Sequence, residues 1–132
     1  MAATLEFHLV TPEREVWTGP ATMVSARGAE GDVGIMPHHA PMLIRLEVSV
    51  IRWLTEEGEL RAVVDGGFLH VASDGDVSRV DALAEHAELE DEIDAEAARR
   101  QAEELERHVR DNGTEEAKLE LAKALVRAGI RS

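Results

Sequence analysis

Between Gly75 and Gly113 the chain has neither glycine nor proline, although all four of its prolines and eight of its ten glycines lie at or before Gly75. Those two residues punctuate turns and interrupt helices, so a chain divided this way cannot hold one kind of secondary structure throughout. The first part is expected to be short segments joined by turns, and the stretch beyond Asp81, where Ala, Glu and Arg take over, is expected to be helix as far as Gly113.

The first part alternates with the period of half-buried strands. Leu5, Phe7 and Leu9 share one side of a segment whose other side carries Glu6 and His8, and Thr11-Pro12 ends it. Glu15-Val16-Trp17 is expected to stop at Gly19-Pro20, and Thr22 to Arg27 resumes an extended run. A brief strand is expected at Val33–Met36, then strands at Leu43–Leu46, Val48–Leu54, Leu60–Val64, Phe68–Ala72 and Val77–Val80. Glu56-Glu57-Gly58, Asp65-Gly66-Gly67 and Ser73–Asp76 supply the turns or bulges between them. Turns every ~8–12 residues predict an antiparallel sandwich or barrel ending near Asp81.

In the second part Ile93, Ala97, Ala98, Ala102, Leu105 and Val109 recur at helical spacing, and Asp111-Asn112-Gly113 is a stop. Thr114 is a fair N-cap for a second helix with Ala117, Leu121 and Leu125 as its apolar stripe. The fold class is therefore α+β: an N-terminal antiparallel β-sandwich over residues 1–84, then an antiparallel two-helix hairpin over 85–132. The hairpin's buried faces are mostly alanine, worth ~0.8 kcal/mol per buried methyl against ~1.5–3 kcal/mol for a Leu or Ile side chain. It should dock on the sandwich with only a few kcal/mol between docked and released positions. A movable regulatory element and an ordinary helical cap are equally compatible with that.

Composition narrows the function. With 3% aromatic residues and no tyrosine, core volume is expected from Leu, Val, Ile and Ala, which suits a small sandwich better than a ligand pocket. A net charge of −13 disfavours nucleic acid and anionic lipid as partners. The absence of cysteine removes disulfides and thiolate chemistry. Neither a signal peptide nor an apolar run of the ~20 residues a membrane helix needs is visible, so a soluble, cytosolic protein is expected.

Glu30 to Pro41, Glu-Gly-Asp-Val-Gly-Ile-Met-Pro-His-His-Ala-Pro, sets two glycines and two prolines around a short apolar pair. A loop built this way presents side chains to a partner. It resembles the signature loop of the epsilon subunit of bacterial F-type ATP synthases, close to E-G-[acid]-[aliphatic]-G-I-x-P-G-H-A-P. Gly31, Gly34, Ile35, Pro37, His39, Ala40 and Pro41 match, and His38 stands where a glycine is usual. Length, domain order and the Gly66-Gly67-Phe68 turn extend the resemblance over the chain.

The resemblance implies a non-catalytic rotor subunit of a proton-translocating ATP synthase, peripheral on the cytoplasmic face of the cell membrane. It implies contacts with the gamma subunit and c-ring through Glu30, Gly31, Asp32, His38 and His39. It also implies a hairpin that restrains ATP hydrolysis by reaching the catalytic alpha and beta subunits, for which Lys123, Arg127 and Arg131, four residues apart, form a basic stripe. Some bacterial relatives bind ATP through [IL]-D-x-x-R-A at the start of the helical part. The matching segment here is Ile93-Asp94-Ala95-Glu96-Ala97-Ala98, with Ala97 at the arginine position and Arg99 and Arg100 nearby. Weak or no ATP binding at Ile93, Asp94, Arg99 and Arg100 is expected, and no cofactor. The rival from another class is a free-standing nucleotide-sensing sandwich with a helical lid, separable by whether gamma co-purifies.

Direct chemistry finds little footing. Adjacent His38 and His39 lack a third ligand at metal spacing, and the acidic run from Glu88 to Glu96 lacks the glycine and alternating oxygens of a calcium loop. Gly66-Gly67 is not followed by a phosphate-binding motif, and no Ser-His-Asp grouping supports a hydrolase.

Overall fold

The computed structural model describes residues 3–74 and 77–130. Eight strands, β1 Leu5–Val10, β2 Glu15–Ala21, β3 Met23–Gly28, β4 Gly31–Ile35, β5 Met42–Thr55, β6 Gly58–Asp74, β7 Val77–Ala84 and β8 Ala87–Leu89, precede a 3-10 turn at Glu90–Glu92 and helices α1 Ala95–Asn112 and α2 Glu115–Ala128. Strand order is β2-β1-β7-β6-β5-β3-β4, with β8 also on β6.

The two middle strands are longer than their sequence suggests. The breaks expected at Glu47 and at Asp65-Gly66-Gly67 do not divide them, since β5 and β6 pair in one constant register from Met42↔Val71 to Thr55↔Gly58. Gly66 and Gly67 take φ of 89° and 122° within β6, so the turn signal becomes a bend inside a strand. Beyond the bend the partner changes: β7 pairs with residues 67–74 of β6, and β8 with residues 62–64. One layer thus holds β2, β1, β7 and one half of the long strands, and the other holds β3, β4, β8 and the second half.

Three other expectations are corrected. β2 runs through Gly19-Pro20, because it lies at the sheet edge and the missing proline amide has no strand to serve. Strand pairing continues past residue 84 to Leu89, where Ala87 is buried. The sheet is not wholly antiparallel either, since β1 and β7 run parallel from Glu6↔Arg79 to Val10↔Leu83.

Inside the sandwich Phe7, Trp17 and Trp53 pack together with ring centroids 5.1–6.0 Å apart. Three of the four aromatic residues therefore join the core, and its volume does not rest on aliphatics alone. Leu5, Leu9, Ile35, Ile51, Leu69, Val71 and Val80 fill the remainder.

Thr114 caps α2 as its sequence predicts, with Oγ1 accepting from the Ala117 amide at 3.0 Å, and Asp94 caps α1, with Oδ1 accepting from the Ala97 amide at 3.0 Å. Alanines form the helix–helix seam, Ala98 and Ala102 on α1 and Ala117 and Ala124 on α2. The stripe expected through Leu125 shifts to Ala124, leaving Leu119 and Leu125 exposed. Ile93 precedes α1 and is buried with Val63 and Ile130. α1 packs chiefly on α2, and it is α2 that meets β5 and β6.

Candidate functional site

Two surfaces stand out, on opposite faces of the sandwich. On the layer holding β1 and β7, the outward residues line up across four strands. One row reads Arg45, Phe68, Leu83, Val10, and the next reads Leu43, His70, Asp81, His8. Leu43, Phe68 and Leu83 are 66%, 47% and 50% exposed. Grouped large apolar side chains on a monomer surface mark an interaction site. The sequence carried a signal that was not read: Phe68, a large apolar residue, falls on the face of its strand opposite to Leu69 and Val71, which point into the core.

The signature loop adjoins this face. The glycine position of its motif demands a left-handed backbone, and His38 adopts it with φ 70°. The turn is held by the His38 amide donating to Ser78 Oγ (2.7 Å) and the His39 amide donating to the Met36 carbonyl (3.2 Å). The two histidines are thus not neighbours on extended backbone. His39 Nδ1 donates to the Ala40 carbonyl at 2.7 Å. Glu30, Gly31 and Asp32 sit at the other end of β4, whose four steps from Gly31 to Ile35 span about 13 Å at 3.3 Å each. The five loop residues therefore form two groups. Asp32 is exposed and accepts from Arg27 Nε at 3.0 Å. Among the described residues no three His, Asp or Glu side chains are grouped to hold a metal ion.

On the opposite face, the end of α2 meets the sandwich. Arg127 does not stand clear as part of an open basic stripe. Its Nη2 donates to Asp65 Oδ2 at 2.8 Å and its Nε to Glu88 Oε1 at 2.7 Å. Burial disfavours the Arg127 charge, but the hydrogen bond to Glu88 and the fields of Asp65 and Glu88 outweigh it and hold its pKa above the ordinary value. Lys123 lies 3.5 Å from Glu120, and Arg131 falls outside the described residues. Asp65, an acid closing the apolar run Ala62-Val63-Val64, was the unread sign of this joint.

The nucleotide-motif residues have structural work. Ile93 is in the apolar joint, Asp94 caps α1, and Arg99 pairs with Glu96. Arg100 is exposed on α1.

The linker is tied down by Arg14, which donates to both oxygens of Glu92 (2.9 and 3.0 Å) and to the Ala87 carbonyl (3.3 Å). The hydrogen bond from Arg14, then that from the Leu89 amide, holds the Glu92 carboxyl below its ordinary 4.5. A depressed folded-state value stabilises the fold above 4.5, and that stability is lost as pH falls through the lower folded value. Arg14→Ala should lower the melting temperature most near neutrality, and the gap to wild type should close as pH falls below 4.5. A gap independent of pH would assign the effect of Arg14 to packing.

Sandwich, bent long strands and capped hairpin define a class: chains that work through binding faces on a compact scaffold. A family model described as ATP synthase, Delta/Epsilon chain, beta-sandwich domain, matches residues 4–90. The ATP synthase epsilon chain of Thermobifida fusca is 45% identical over 123 residues, covering 91% of this chain and 88% of that one. The epsilon chain of Brevibacillus brevis is 42% identical over 108 residues, 81% and 79% of the two chains. In structure, a chain of the Euglena gracilis mitochondrial ATP synthase OSCP/F1/c-ring assembly superposes with a TM-score of 0.83 at 22% identity, over 98% of this chain and 82% of that one, a likeness of fold. This chain belongs to the ATP synthase epsilon-chain family. It is a non-catalytic central-stalk subunit of an F-type ATP synthase. Among the described residues no helix is long and apolar enough to cross a membrane.

Proposed function

We propose that this chain couples rotation to ATP synthesis at the foot of the central stalk, on the cytoplasmic face of the membrane. The outer face carrying Leu43, Phe68 and Leu83 meets gamma, and the loop residues Glu30, Gly31, Asp32, His38 and His39 lie at the junction with the c-ring. The observation that carries this reading is the exposed apolar row, set against a loop with the family's signature. The hairpin, once released from the sandwich, reaches the alpha and beta subunits with Lys123, Arg127 and Arg131 and restrains hydrolysis. ATP is not held tightly, because Ala97 replaces the motif's arginine while Ile93 and Asp94 serve the fold.

Phe68→Glu with Leu83→Glu tests the partner face. Surface changes of this kind usually cost within ~0.5 kcal/mol of stability, so the isolated protein should keep its circular dichroism and melting curve. Co-purification with gamma should be lost, because two carboxylates then face an apolar partner without counter-charge. Undiminished co-purification would move gamma to another face.

A further inference from the structure

The joint between α2 and the sandwich is built unevenly. Its apolar part is small: Ile130 is buried against Val63 and Ile93, with Val50 and Val126 beside them. Its polar part converges on one guanidinium. Arg127 bridges Asp65 of β6 and Glu88 of β8, strands of the sandwich, with side-chain exposures of 19%, 6% and 27% for Arg127, Asp65 and Glu88. Among the described residues Asp65 forms an ion pair with Arg127 alone, and its Oδ1 accepts no hydrogen bond. Glu88 also faces His86 at 3.3 Å. A second tether, Arg61 Nη1 to the Ile130 carbonyl at 3.2 Å, lies at the same end of α2.

We propose that Arg127 is the latch of the docked hairpin, so that one side chain sets the balance between docked and released forms. Removing it leaves two carboxylates facing an apolar helix end, and burial without counter-charge is what α2 then avoids by leaving. Lysine cannot replace the fork, because one ammonium offers a point charge where two carboxylates are met by two separate nitrogens. The alanine seam between α1 and α2 is untouched by this change, so the hairpin leaves as a unit. The regulatory consequence rests on the reading of the hairpin as a restraint on hydrolysis, but the latch itself does not.

The chain has no cysteine, so Glu57→Cys on the sandwich and Glu106→Cys on α1, both exposed, give unique spin-label sites in the full-length protein. Pulsed dipolar distance measurements should show a single docked distance in the parent. Arg127→Ala should raise the ratio of released to docked molecules about tenfold or more, equivalent to about 1.4 kcal/mol, with helical circular dichroism retained. Arg127→Lys should give a smaller shift in the same direction. Should Arg127→Ala reduce helicity, Glu88→Gln decides instead, since it keeps shape and removes one of the two charges; a shift towards release upholds the latch. An unchanged distance distribution in Arg127→Ala, or in Glu88→Gln where that variant decides, overturns it and assigns docking to Ile130 and its neighbours. In the assembled enzyme, release by Glu88→Gln, which leaves Arg127 in place for its contact with the catalytic subunits, without any change in hydrolysis would leave the latch standing and remove the inhibitory reading.

Discussion

Gly67→Ala should cost about 3 kcal/mol or more and lower the melting temperature by about 10 °C. Two independent penalties meet at this position. Its φ of 122° is one that L side chains rarely adopt. A Cβ there would lie 2.1 Å from the Leu83 carbonyl oxygen and 2.8 Å from Ala84 Cα, and both are backbone atoms of the paired strand β7. Backbone cannot swing aside as the end of a long side chain can, so relief requires β7 to move off β6. Gly66→Ala is the control. Its φ of 89° is also positive, but the added Cβ meets only the Leu46 carbonyl oxygen at 3.8 Å. Gly66→Ala should therefore be milder, by the clash term. Equal melting temperatures for the two variants would mean that backbone conformation alone sets the cost.

The second large effect concerns the hairpin. A chain ending after Asp94 should fold, and a synthase assembled with it should hydrolyse ATP about fivefold faster or more, the low end of usual coupling energies near 1 kcal/mol. The choice of end point follows from the sheet. Ending after Asp81 would remove Ala82 and Ala84 from the core, strip β8 from β6 and delete the Glu92 partner of Arg14. That shorter chain should not give a cooperative melt, and its effect on hydrolysis would report a lost subunit. Ending after Asp94 retains all eight strands and the Arg14–Glu92 pair. Unchanged hydrolysis with a folded, assembled chain ending after Asp94 would show that the helices do not restrain the enzyme.

The sandwich and hairpin were legible because their signals are local. Period-two alternation in Leu5–Val10, the cap at Thr114 and the stop at Asn112-Gly113 depend only on near neighbours. What was misread depends on distant partners. Whether Gly66-Gly67 ends a strand or bends it is decided by the strands beside it, and Pro20 is admissible only because β2 has no outer neighbour. The same holds for function. The signature loop is contiguous and could be read directly, although its two ends lie apart along β4. The apolar face gathers residues from β5, β6 and β7, and the Arg127 joint gathers residues 65, 88 and 127. Charge spacing along α2 made Arg127 look solvent-facing, since spacing gives a helix face but not what that face lies against.

The parallel pairing of β1 with β7 also fixes when this chain can fold. Glu6 meets Arg79 at a sequence separation of 73 (79 less 6), and among the described residues β1 otherwise has only the edge strand β2 beside it. As the chain leaves the ribosome, the β1–β2 hairpin must wait until β7 has emerged, with Phe7 and Leu9 lacking the neighbours that bury them. Contacts of such long sequence separation slow folding, because loop closure is completed before they reward it. The hairpin helices, built from local contacts, can form within microseconds of emerging. In the nascent protein, the helices, made after the sandwich, are thus the quickest to form, and β1, made before the strands that enclose it, is among the last to be enclosed.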